Sequence, residues 1–139
     1  MNSRREGLDF WERAAQTFHT AKSITGDNDS VANRCYYAVF HAVSALFALD
    51  GKTFQTHAGV KSAVHRDLVN TGQWPKELGA GYSFLLKTRM KADYGGGSHV
   101  MDSEAAQALE IAGLILKTVH EARPDVFPLD TRLEDDSDD

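Results

Sequence analysis

The sequence predicts an all-α fold, an antiparallel bundle of four to five helices joined by short loops. Three observations carry this. Apolar residues recur at three- and four-residue intervals through most of the chain, and no segment shows the two-residue alternation of a convincing strand. Turn-forming clusters punctuate it at Gly26-Asp27-Asn28-Asp29, Asp50-Gly51, Asn70-Thr71-Gly72 and Gly95-Gly96-Gly97-Ser98. The length of 139 residues, 42% of them hydrophobic, suits one domain with its own core.

The first helix covers about residues 3–23, with Leu8, Trp11, Ala15 and Phe18 on one stripe. After the turn, Asp29 or Ser30 is the expected N-cap of a second helix over about 30–49, because either side chain can accept from the first free amides. Gly51 suits the left-handed position that ends it. Residues 52–56 connect to a third helix, capped by Thr56, with Val60, Val64 and Leu68 on its buried stripe. Pro75 fits the first turn of a fourth helix, where a missing amide costs nothing. Leu78, Tyr82, Leu85, Leu86 and Arg89 follow at helical intervals, and Gly79 and Gly81 allow a close backbone approach. Beyond the flexible glycine loop, Asp102 or Ser103 is the expected cap of a fifth helix. Ala106, Leu109, Ala112, Ile115 and Val119 give it a broad apolar surface, and Arg123-Pro124 ends it.

The net charge of -5 misleads, because residues 124–139 hold seven acidic residues and one arginine while residues 1–123 hold 13 acidic and 14 basic ones. The expected organisation is therefore a near-neutral helical domain over 1–123 and an acidic, disordered tail over 124–139. No apolar run reaches the roughly 18 residues of a membrane span. No apolar segment of the secretory type follows the N-terminal Met1-Asn2-Ser3-Arg4-Arg5-Glu6. A cytoplasmic location with no membrane contact is the expectation. The single Cys35 excludes an internal disulfide and a thiolate zinc site, and reads as a small core residue.

The second helix carries an awkward polar stripe. Arg34, Tyr37, His41 and Ser44 fall at offsets of three, seven and ten, and Asn33 borders them. Arg34 and His41 stand roughly 10 Å apart along the axis. They can grip a ligand between them or meet different partners on facing helices. On the fourth helix, Arg89 and Asp93 are four apart and can pair, beside Tyr94 and the glycine loop. No metal-binding spacing appears: His57 and His65 lack an acidic ligand beside them, and no Glu-x-x-His motif occurs. His99, just past the glycines, is the remaining histidine of interest.

Asn33-Arg34-Cys35-Tyr36-Tyr37-Ala38-Val39-Phe40-His41-Ala42 together with Arg89-Met90-Lys91-Ala92-Asp93-Tyr94 resembles the HEPN domain (higher eukaryotes and prokaryotes nucleotide-binding). The closest branch is one of small prokaryotic proteins with an "NRxYYAxFHA" helix and an "RxxADY" segment. His57-Ala58-Gly59-Val60 and residues 104–116 extend the likeness over most of residues 5–120. The resemblance implies a helical bundle that forms a homodimer and a place in prokaryotic toxin–antitoxin or phage-defence systems. It implies a minimal nucleotidyltransferase antitoxin as partner, and RNA or a nucleotide as ligand. It also implies metal-independent endoribonuclease activity without a cofactor. That activity goes with an arginine followed after four to six residues by a histidine; here Asp93, Tyr94, Gly95 and Gly96 fill that window, and His99 is ten residues on. An arginine and a histidine seven residues apart stand instead at Arg34 and His41.

Metal-free RNA cleavage needs proton transfer and a cation for the phosphorane. His41 is the candidate acid–base group, Arg34 and Arg89 are candidate phosphate clamps, and Asp93 would orient an arginine. Asn33, Tyr37, Tyr94 and His99 are candidate RNA- or nucleotide-binding residues. Two alternatives stay open: a non-catalytic module of this family that binds a nucleotide or a nucleotidyltransferase, and a purely structural dimer whose polar stripe ties the core together.

Overall fold

A computed structural model describes residues 2–133. It contains five helices: α1 (Ser3–Ser23), α2 (Asn28–Leu49), α3 (His57–Ala63), α4 (Lys76–Tyr94) and α5 (Asp102–Ala122). No strand occurs among the described residues. The expected all-α bundle is what the chain forms.

In α1, Gly7, Trp11, Ala14, Ala15, Phe18 and Ala21 form the buried stripe, and the Asn2 side chain caps the helix by accepting from Arg5 N. The long helix α2 is the centre of the bundle and packs against α1, α4 and α5. It presents small residues to its neighbours: Ala32, Cys35, Ala38, Ala42 and Ala45 are fully buried. A Cβ on Gly7 would lie 2.8 Å from Leu49 Cδ2 and 3.2 Å from the Ala45 carbonyl, so the start of α1 touches the end of α2. The Phe10 ring stacks on His41 at 6.4 Å, which fixes the two helices as antiparallel neighbours. Gly51, at φ 73°, ends α2 as expected. Gly51 N donates to Ala48 O and Lys52 N to Phe47 O, which satisfies the last free carbonyls.

The helix boundaries bring two corrections. Asp27, not Asp29 or Ser30, caps α2 by accepting from Ser30 N at 3.1 Å. Met101 occupies the cap position of α5 in place of Asp102 or Ser103, and Glu104 Oε1 accepts from Met101 N at 2.9 Å. In both cases the displaced side chains work over longer range. Asp29 accepts from Val100 N at 2.8 Å, and Asn28 Nδ2 donates to Asp102 at 2.7 Å. The start of α2 is thereby fastened to the chain on either side of Met101, and the exit of the glycine loop is pinned.

The third helix continues into a π-helical turn over Val64–Val69, which periodicity does not reveal. Gly79 and Gly81 do meet close neighbours: added Cβ atoms would stand 2.7 Å from Val69 Cγ2 and 2.9 Å from Ile111 Cγ2.

The boundary at residue 123 also needs correction. Residues 124–133 return to the bundle, with Val126 and Phe127 buried. The Phe127 ring lies 5.2 Å from Trp11, and Trp11 Nε1 donates to the Pro128 carbonyl at 3.0 Å. Arg132 pairs with Glu12 at 2.8 Å. A large aromatic side chain outweighs the acidity of its surroundings. The remaining acidic residues, 134–139, lie outside the described part.

Truncating Phe127 tests this closure. Phe127→Ala should cost about 3–5 kcal/mol, as for large aromatic-to-alanine changes in a packed core. Urea unfolding measures it; a cost below about 1 kcal/mol would mean that the return segment does not support the bundle.

Candidate functional site

The polar stripe of α2 does not act as one surface; it is shared between two neighbours. On the α4 side, Asn33 Nδ2 donates to Asp93 Oδ1 at 3.2 Å. Asn33 Oδ1 accepts from Arg34 Nε at 3.0 Å, so the asparagine links a carboxylate to a guanidinium. Arg89 Nη1 donates to Asp93 Oδ2 and to the Tyr37 hydroxyl, each at 3.3 Å. Asn33, Arg34, Tyr37, Arg89 and Asp93 thus form one connected network across α2 and α4. The antiparallel packing makes this possible, because residue 33 stands level with 93 and residue 37 with 89.

Arg89 is the deepest member. Its side chain is 11% exposed, and its charge centre lies 5.2 Å from the Tyr36 ring and 5.7 Å from the Tyr37 ring. Two electron-rich faces and one carboxylate compensate the buried cation. Its Nε has no hydrogen-bond partner and is buried. Arg34 is less committed. Its guanidinium lies over Tyr37 at 5.7 Å, and Nη1 makes no hydrogen bond among the described residues. An open groove of about 450 Å³ beside it is lined by Ile24, Asp29, Asn33, Arg34 and Asp93, among others.

His41 lies on the other side of the stripe, towards α1. It meets Phe10 and is 6.4 Å from the Tyr37 ring. Its Nδ1 is buried without a hydrogen-bond partner. Burial, then the charges of Arg13 and Arg34, push its pKa down from 6.5 to about 4. The imidazole is therefore neutral near pH 7. It can accept a proton there and holds none to donate as imidazolium.

Two sequence candidates fall outside this network. Tyr94 is 75% exposed and makes no hydrogen bond among the described residues. His99 pairs with Asp29 at 2.8 Å, at the edge of the groove rather than among the arginines. The amide of Val100 and then His99 hold the Asp29 carboxyl below its ordinary range. Three residues with a place here were not singled out from spacing. Tyr36 faces Arg89 and pairs through its hydroxyl with His57 Nδ1 at 2.8 Å, and, after burial, the charge of Arg13, on α1, helps to lower the His41 pKa. The tyrosine lies inside the sequence motif, but no spacing rule joins His57 or Arg13 to it. Among the described residues no three of His, Cys, Asp and Glu converge where they could hold a metal ion. No helix among them is long and apolar enough to cross a membrane.

With this geometry in hand, comparison with known proteins is informative. The sequence matches the family model of the HEPN domain over residues 8–122. It is also 37% identical to a UPF0332 protein of Thermotoga maritima over 98 residues, covering 68% of this chain and 74% of that protein.

Two measurements probe the site. Asp93→Ala should destabilise the fold by about 1–3 kcal/mol, because it leaves the buried arginine without its carboxylate. Combined with Arg89→Met, much of that loss should return, so urea unfolding of the four proteins should show strong coupling; independent effects would mean that the pair is only superficial. His41 should also contribute a pH dependence. Its folded pKa lies below its ordinary value, so its contribution to stability is complete above about pH 6.5 and is lost as pH falls towards 4. The difference in unfolding free energy between the parent and His41→Asn should narrow across that interval. His57, lowered mainly by burial, keeps part of the acid sensitivity in both.

Proposed function

Because this chain belongs to the HEPN domain family, we propose that it is a dimeric, metal-independent endoribonuclease of the toxin or defence-system kind. The observation that supports this most is the joining of the two motif segments, Asn33-Arg34 and Arg89 to Asp93, into one hydrogen-bonded network beside an open groove. Arg34, with a free edge on its guanidinium, contacts the scissile phosphate and stabilises the charge of the phosphorane. The neutral His41 imidazole takes the proton of the ribose 2′-hydroxyl. The 2′-oxygen attacks phosphorus, the bond to the 5′-oxygen breaks, and a proton from solvent completes that leaving group. The products are a 2′,3′-cyclic phosphate and a 5′-hydroxyl end. In this scheme Arg89 and Asp93 are positioning residues: Asp93 holds Arg89 directly and Arg34 through Asn33. Tyr37 carries Arg89 on its hydroxyl and offers its ring to Arg34. Tyr94, fully presented to solvent, is available to stack a base.

A second reading is favoured by a different observation. The charge of Arg89 is already answered by Asp93 and two tyrosine rings, and no histidine follows it in the next nine residues. That supports a non-catalytic module binding a nucleotide or a minimal nucleotidyltransferase partner.

Cleavage of tRNA and of a structured mRNA by the purified full chain, in excess chelator, separates the two. The nuclease reading expects products ending in cyclic phosphate. Activity should fall at least about 100-fold in Arg34→Ala and His41→Ala variants whose melting is close to that of the parent. No cleavage by well-folded parent protein, or cleavage indifferent to both substitutions, would reject it.

A further inference from the structure

We propose that Arg13, on α1, completes an anion site with Arg34 and His41 of α2, and that this site holds a phosphate of a bound RNA strand. The inference rests on the RNA reading above and adds a residue from a helix outside both motifs.

Helix register puts the three residues together. Gly7 abuts Ala45 and Leu49, and Phe10 stacks on His41. One further turn along α1 therefore brings residue 13 level with Tyr37 and His41, and residue 17 level with Arg34. The same side of α2 that turns His41 towards Phe10 thus faces Arg13. Arg13 is exposed, and it makes no hydrogen bond or ion pair among the described residues. Arg34 bonds only to the neutral Asn33 side chain and likewise has no carboxylate within ion-pair distance there.

This contrasts with the other arginines that the structure ties down. Arg4 and Arg123 are held by Asp125, Arg66 by Asp67, Arg89 by Asp93, and Arg132 by Asp130 and Glu12; among the described residues only Arg5, at the start of α1, is likewise without an ion pair. After burial, the charges of Arg13 and Arg34 push the His41 pKa down. Asp29 and Asp93 line the groove on the α4 flank of Arg34, so a phosphate held by Arg34 is favoured on the flank turned towards α1. From α1, Arg13 adds a second cationic donor on another rigid helix; it makes no ion pair among the described residues, although Asp9 stands one turn before it. A phosphate there would accept from both guanidiniums and lie beside the imidazole, close to where a 2′-hydroxyl proton must be taken.

The test uses the full chain, with inorganic phosphate and a short single-stranded RNA as probes. The His41 ring is followed by NMR through a pH titration. Saturating phosphate should raise its pKa by about one unit, because an anion replaces unopposed positive charge beside it. Arg13→Ala should abolish this response, and Arg13→Lys should keep part of it. RNA binding by fluorescence anisotropy should weaken roughly tenfold in Arg13→Ala, with a salt slope shallower by about 0.7. A His41 pKa indifferent to phosphate, or moved equally in parent and Arg13→Ala, would overturn the proposal. If the phosphate response depends on Arg13 but no RNA is cleaved, the anion site stands and the nuclease reading fails alone. If RNA is cleaved but Arg13→Ala changes neither binding nor the response, the anion site fails alone.

Discussion

The Arg89 guanidinium is a fixed positive charge that sits almost out of contact with water. A buried charge of that kind must be answered where it stands. The answer here comes from two helices at once. Asp93 supplies the carboxylate from one turn further along α4, and Tyr36 and Tyr37 supply ring faces from α2. Consecutive tyrosines point in directions roughly 100° apart around a helix, so the pair can flank a cation that enters between them. Once Arg89 lies there, the register of α2 on α4 is fixed, and Asn33 comes to rest against Asp93. The position of Arg34, held through Asn33, is thus a consequence of how Arg89 is buried.

The α1 side of α2 solves a different problem. Contact there depends on small residues: Gly7 on α1, and Ala38, Ala42 and Ala45 along α2. Close approach leaves little room, and the polar side chains on that flank are pushed to its rim. His41 lies half-buried there, with one ring nitrogen sealed and unpartnered. Tyr37 stands between the two flanks and touches both, through its hydroxyl on the α4 side and its ring edge towards His41. A single aromatic residue therefore links the buried ion pair to the half-buried imidazole.

Much of this was legible in the sequence, and the limits have physical causes. Helix periods identified α1, α2, α4 and α5 through their long buried stripes, and placed α3 on Val60, Val64 and Leu68 without showing that its second half is π-helical. The polar residues on α2 were legible as one face, since offsets of three, four and seven demand it. Spacing along one helix cannot say which neighbour each edge of that face will meet, so Arg34, Tyr37 and His41 could not be divided between α1 and α4. Arg13 was invisible for the same reason: its relevance lies in interhelical register, set by Gly7 and Phe10. Capping was misjudged where a carboxylate had a better offer from afar. Asp29 is drawn to Val100 N and His99, some seventy residues away, and Asp27 takes the local role. Net charge concealed the return of residues 124–133, because burial of Val126 and Phe127 is decided by apolar area and not by the charges around it.

The electrostatics around His41 link the architecture to its chemistry. Arg13 and Arg34 are the groups proposed to hold a phosphate, and after burial they are also the groups that make the imidazole reluctant to accept a proton. Without ligand the two roles conflict: a base with a pKa of about 4 is in the right form at neutral pH but is weak. Under the proposal, an RNA phosphate placed between the guanidiniums would remove that conflict, because its charge would screen them from the ring, and the proton acceptor would strengthen at the moment substrate is seated. A resident carboxylate would have made the histidine a stronger base at all times, and would have occupied the arginines that the phosphate needs.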